Sequence, residues 1–66
     1  MKVSRKKIQL IMAKQQLNQK GLAELSGIPA STISYILSVE RTTPMTLGKL
    51  AEALKEDPSE LIGEEA

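Results

Sequence analysis

The sequence predicts an all-α domain, a compact arrangement of five short helices in which the second and third meet at a tight turn. Three observations carry that expectation. Helix-starting and helix-ending residues recur every ten to fifteen positions, apolar residues between them fall at i, i+3, i+4, and a length of 66 residues suits one small core. The chain is 41% hydrophobic and 26% charged, the balance of a folded domain rather than a disordered segment. Tyr35 is the sole aromatic, so the core is expected to be aliphatic.

The first helix is expected from about Arg5 to Gln16, with Ser4 as its N-cap and Ile8, Ile11 and Met12 on one face. Leu10 is expected to widen that face or to stand exposed beside it. Asn18 is expected to cap a second helix, about Gln19 to Ser26, because its side-chain oxygen can accept a first-turn N–H that lacks an intrahelical partner. Gly27 then ends it, since glycine enters the left-handed conformation without a Cβ penalty, and apolar Ile28 plugs the corner.

Pro29 is expected to open the third helix, about 30–38, where its missing N–H is no loss. Ile33, Ile36 and Leu37 define its inner face. At about 100° per residue, Ser31, Tyr35 and Ser38 then point outward, flanked by Thr32 and Ser34. Residues 40–44 read as a loop, and Thr46 is expected to cap a fourth helix with Leu47, Leu50, Ala51 and Leu54 as its apolar stripe and Gly48 as a weak point. Asp57, Pro58 and Glu60 form a start signal for a short fifth helix ahead of Leu61 and Ile62, with Gly63 to Ala66 expected to fray.

The residue inventory narrows the chemistry. There is no cysteine and no histidine, which removes disulfides, thiolate or imidazole metal ligands and histidine acid–base catalysis. With one aspartate and no glycine-rich phosphate loop, no catalytic constellation, metal site, cofactor or small-molecule ligand is expected, so the chain reads as not an enzyme. No apolar run approaches the roughly 18 residues that span a bilayer, and nothing marks the chain for export. A cytoplasmic protein with no membrane partner is expected.

The net charge of +1 hides a segregation. Residues 1–38 carry six cations against Glu24 alone, a net +5, whereas residues 39–66 carry three against seven acidic side chains, a net −4. One half can meet phosphate and the other should avoid it.

Two short helices joined by a tight glycine turn, the second exposing a small polar face, describe a helix-turn-helix. Ala23 at the helix crossing, Gly27 in the turn and Ile33 beneath the second helix are coupled steric demands at fixed spacing. The run LNQKGLAELSGIPASTISYIL, followed by Pro44 and LGKLAEAL, resembles the Cro/CI-type repressor family, also called lambda-repressor-like or xenobiotic-response-element. The matching positions are Leu17, Gln19, Leu22, Ala23, Gly27, Ile28, Thr32, Ile33, Ser34, Pro44, Leu50, Ala51, Ala53 and Leu54, and DPSELI is similar to the family's last helix. The resemblance implies a five-helix domain, HTH core about 8–62, that binds palindromic double-stranded DNA as a homodimer and usually represses transcription in a prokaryotic or phage setting.

Carried over by position, the resemblance implies that Ala30, Ser31, Thr32, Ser34 and Tyr35 read base edges. Asn18, Gln19, Lys20, Ser38, Arg41 and Thr42 are expected to grip phosphates, with Gln19 bracing the recognition helix. Leu61 and Ile62 are expected at a dimer interface, on the reasoning that one chain offers them too little shelter. Three departures from the family's pattern involve four positions. Met12 and Leu37 stand where many members bury an arginine–glutamate pair, a replacement the fold tolerates. Val39 stands where glycine usually follows the recognition helix, so that helix is expected to run on and reshape the loop. Pro29 replaces the common serine cap. The alternative reading is an antitoxin-like or adaptor module of the same fold, which would be expected to show an exposed apolar stripe on its third helix.

Overall fold

Capping chemistry sets the helix boundaries in the computed structural model, which describes residues 1–63. Helix α1 spans Arg5–Lys14, and the Ser4 hydroxyl accepts the Lys7 N–H at 3.2 Å. It stops short of the expected end because Gln16 turns left-handed, at φ 56°, and the Leu17 N–H reaches back to the Met12 carbonyl at 2.8 Å. Helix α2 spans Gln19–Ser26, as expected at both ends. Asn18 Oδ1 accepts the Gly21 N–H at 2.7 Å, and Gly27 closes the helix at φ 73°, ψ 13°, donating its N–H to the Ala23 carbonyl at 2.9 Å.

Helix α3 spans Ala30–Val39, with Pro29 as its N-cap rather than its first residue. Proline offers no side-chain acceptor, so this helix starts without the side-chain cap the other α-helices have. Helix α4 spans Pro44–Leu54, and its cap is Thr43 instead of the expected Thr46. The Thr43 hydroxyl accepts the Thr46 N–H at 3.3 Å and donates to the Thr46 hydroxyl at 3.0 Å. Pro44, whose φ is already helical, starts the helix one residue later.

The expected fifth helix is a four-residue 3₁₀ turn, Pro58–Leu61, so the fold has four α-helices and one such turn among the described residues. Asp57 caps it, accepting the Ser59 N–H at 2.9 Å. It cannot continue, because Ile62 goes extended to pair with Val3.

That pairing belongs to a feature with no counterpart in the sequence reading. The extended segment ahead of α1 makes antiparallel backbone pairings on two sides, Lys2 with Arg41 and Val3 with Ile62. The Val3 N–H donates to the Glu40 carbonyl at 2.9 Å, the Ser4 N–H to the Leu61 carbonyl at 2.8 Å and the Gly63 N–H to the Lys2 carbonyl at 3.1 Å. Gly63 is therefore pinned instead of frayed, and a Cβ there would lie 3.2 Å from the Val3 carbonyl oxygen. The expectation for Glu64 to Ala66 lies outside the described residues.

The core is aliphatic, as expected. Ile8 and Met12 from α1, Leu22 from α2, Ile33, Ile36 and Leu37 from α3, and Leu47, Leu50 and Leu54 from α4 all bury their side chains in it. Helix α2 packs on both α3 and α4, and the 3₁₀ turn packs on α4 and α1. Met12 and Leu37, at the positions where relatives bury an ion pair, are both buried here. Leu10, expected to widen the inner face of α1 or to stand exposed beside it, is exposed, about 200° around the helix from Ile8 and from Met12. Leu61 is 0% exposed and Ile62 is half-buried against the same core. The premise of too little shelter is thereby corrected for Leu61. One chain shelters Leu61 completely and leaves it no surface for another.

Candidate nucleic-acid interface

A compact corner positions the outward face of α3. Residues 27–29 join α2 to α3, and the two helices are bent by 111° at this break, inside the range of helix-turn-helix corners. Gly27 supplies the left-handed turn, Ala23 packs half-buried against the core, and Ile33 is 1% exposed beneath α3. With Ile33, Ile36 and Leu37 fixed inward, Ala30, Ser31, Thr32, Ser34, Tyr35 and Ser38 are all exposed. Tyr35 is 66% exposed. Every side chain expected to read bases lies on this convex ridge. A cleft lined in part by Leu17, Leu25 and Ala53 includes no residue of α3.

The expected phosphate-gripping residues fall at two edges. Asn18, Gln19 and Lys20 are exposed at the start of α2, where the positive end of the helix dipole lies. Asn18 Oδ1 is committed to the Gly21 N–H, which leaves the amide NH₂ to meet an external acceptor. Ser38 and Arg41 are exposed beyond the other end of the ridge, and Thr42 is half-buried. Thr42 has its backbone occupied: its N–H donates to the Met1 carbonyl at 2.9 Å and its carbonyl accepts from the Met1 amino group at 2.8 Å. Its hydroxyl remains available.

Helix α3 does run on through Val39, and the left-handed position moves to Glu40, at φ 56°, ψ 39°. Three hydrogen bonds hold Glu40 there. Its N–H donates to the Ile36 carbonyl at 2.7 Å, its carbonyl accepts the Val3 N–H, and its carboxylate accepts the Arg5 N–H at 3.2 Å. Helix α1 has no acidic residue in its first turn, so Glu40 supplies the negative charge that its N-terminus favours. Glu40 and Val3 set the loop that carries Arg41 and Thr42, and sequence reasoning missed both. Among the cations of the first turn of α1, Lys7 is engaged, its Nζ donating to the Ile62 carbonyl at 3.2 Å.

No group of histidine, cysteine, aspartate or glutamate among the described residues could hold a metal ion, and no single helix among them is long and apolar enough to cross a membrane. The model of the helix-turn-helix family HTH_3 matches residues 8–61, the stretch from the first core residue of α1 to the end of the 3₁₀ turn. The chain belongs to the Cro/CI-type helix-turn-helix family. Neither the curated proteins nor the solved structures gave a match. As a Cro/CI-type helix-turn-helix protein it is a DNA-binding regulator, and its α2–α3 corner is the motif that names the family.

Proposed function

We propose that this helix-turn-helix protein is a sequence-specific transcriptional regulator of the repressor type, placing α3 in the major groove of a palindromic operator as a homodimer. The observation that carries the reading is the exposed polar ridge of Ser31, Thr32, Ser34 and Tyr35 on a helix locked from beneath by buried Ile33, Ile36 and Leu37. A convex helix face fits a groove about 12 Å wide. Base contacts come from Ala30, Ser31, Thr32, Ser34 and Tyr35. Phosphate contacts come from Asn18, Gln19, Lys20, Ser38, Arg41 and the Thr42 hydroxyl, and they set the register of the helix on the duplex. Operation in the cytoplasm accords with this role. The polar face of α3 argues against the adaptor reading.

Selection of duplexes from a random pool tests the proposal. The expected product is a palindrome whose half-sites lie one helical turn, about 34–36 Å, apart, bound more weakly as salt rises. Ser31→Ala combined with Tyr35→Ala is expected to weaken sequence preference, leaving the share that Thr32 carries, while the thermal melt stays in place. No enrichment at moderate salt would favour the adaptor. A sedimentation profile showing only monomer on the operator would remove the dimer.

A further inference from the structure

We propose that α3 discriminates among bases through the 5-methyl group of thymine, so that its ligand class is duplex DNA presenting thymines to Thr32 and Tyr35. The inference rests on α3 being the groove helix. Residues 30–39 contain no charged side chain and no side-chain amide. Reading guanine or adenine in the major groove relies on a side chain with paired hydrogen-bonding atoms, which means arginine, lysine, asparagine or glutamine. A lone hydroxyl donates or accepts as it rotates, so Ser31, Ser34 and Ser38 can be satisfied at any base pair.

Carbon is the remaining discriminating surface on the ridge: the Ala30 Cβ, the Thr32 methyl and the Tyr35 ring. The thymine methyl is the apolar group that unmodified base pairs display in the major groove. Tyr35 is 66% exposed and Val39 42%, while Ile33, Ile36 and Leu37 beneath them are 1%, 4% and 5% exposed. The inner positions are filled, so the outer apolar surface has nowhere within the fold to go. Meeting a methyl group in the groove removes both partners from water.

The test uses the full chain and duplexes enriched from the random pool, resynthesised with deoxyuridine replacing thymidine one position at a time. That change deletes the methyl and leaves base pairing and the groove's hydrogen-bonding atoms in place. Binding is expected to weaken about fourfold at each contacted methyl. Thr32→Val keeps the side-chain methyl and removes the hydroxyl, and is expected to preserve the thymidine-to-deoxyuridine ratio at its position. Thr32→Ser does the reverse and is expected to bring the ratio to one. Tyr35→Phe is expected to keep the ratio and Tyr35→Ala to erase it, with thermal melts confirming that these exposed changes leave the fold intact. If the enriched duplexes bind equally well in both forms, or Thr32→Ser preserves the ratio while Thr32→Val loses it, thymine-methyl reading is overturned. If the thymidine pool yields no enriched duplex at all, the groove assignment of α3 fails, and this inference falls with it.

Discussion

Glu40 and Lys55 both sit in left-handed backbone conformations, at φ 56° and 58°, where a side chain costs about 1–2 kcal/mol relative to glycine. Their surroundings differ. The Glu40 carboxylate accepts the Arg5 N–H, whereas the Lys55 side chain makes no hydrogen bond or ion pair among the described residues. Lys55→Gly is therefore expected to raise the unfolding free energy by about 0.5 kcal/mol, the relieved strain exceeding the extra entropy glycine gives the unfolded chain. Glu40→Gly is expected to bring no gain, because the relief is set against a lost charge-assisted hydrogen bond of similar size. Denaturant melts of the two variants side by side check the contrast. Gly27 and Glu40 also show what one residue reveals in sequence. The first is a glycine between two helical patterns and declares its conformation, while the second does its work through partners 35 and 37 positions away.

Among the elements, α2 was legible at both ends because Asn18 and Gly27 are strong local signals on either side of it. The start of α4 was not, because Thr43 and Thr46 are both hydroxyl caps by type and only the adjacent Pro44 at N1 distinguishes them. The 3₁₀ turn was read correctly in its cap and wrongly in its type: Asp57 begins it, but the pairing of Ile62 with Val3 leaves no room for a longer helix. The Asp57 carboxyl is held below its ordinary range by the Ser59 backbone N–H first and the Ser59 hydroxyl second. A lowered folded value means the ionised form stabilises the fold. That contribution is present above the unfolded value of about 3.9 and disappears as pH falls through the lower folded one. Asp57→Ala and the parent chain are expected to differ in stability near neutral pH and to converge at strongly acid pH, as acid titrations at fixed temperature would record. A gap that persists unchanged to the lowest pH would show that charge is not the source.

For the whole molecule, helical periodicity made the core and the polar ridge of α3 readable together, since fixing Ile33, Ile36 and Leu37 inward settles which residues face out. The pairings of the first four residues were not readable. They are backbone contacts between segments that lie far apart in sequence, and backbone pairing leaves little mark on residue type. Chain ends ordinarily open before the rest of a domain. Here the amide hydrogens of Val3, Ser4 and Gly63 are each shared with a carbonyl from another part of the fold, and Val3 is 0% exposed. Deuterium from solvent is therefore expected to reach those three amides only in the rare global opening that also exposes Leu22 or Leu50, and not through local fraying. Because Val3 and Arg5 also hold Glu40, loosening the segment ahead of α1 would be felt at the C-terminal end of α3.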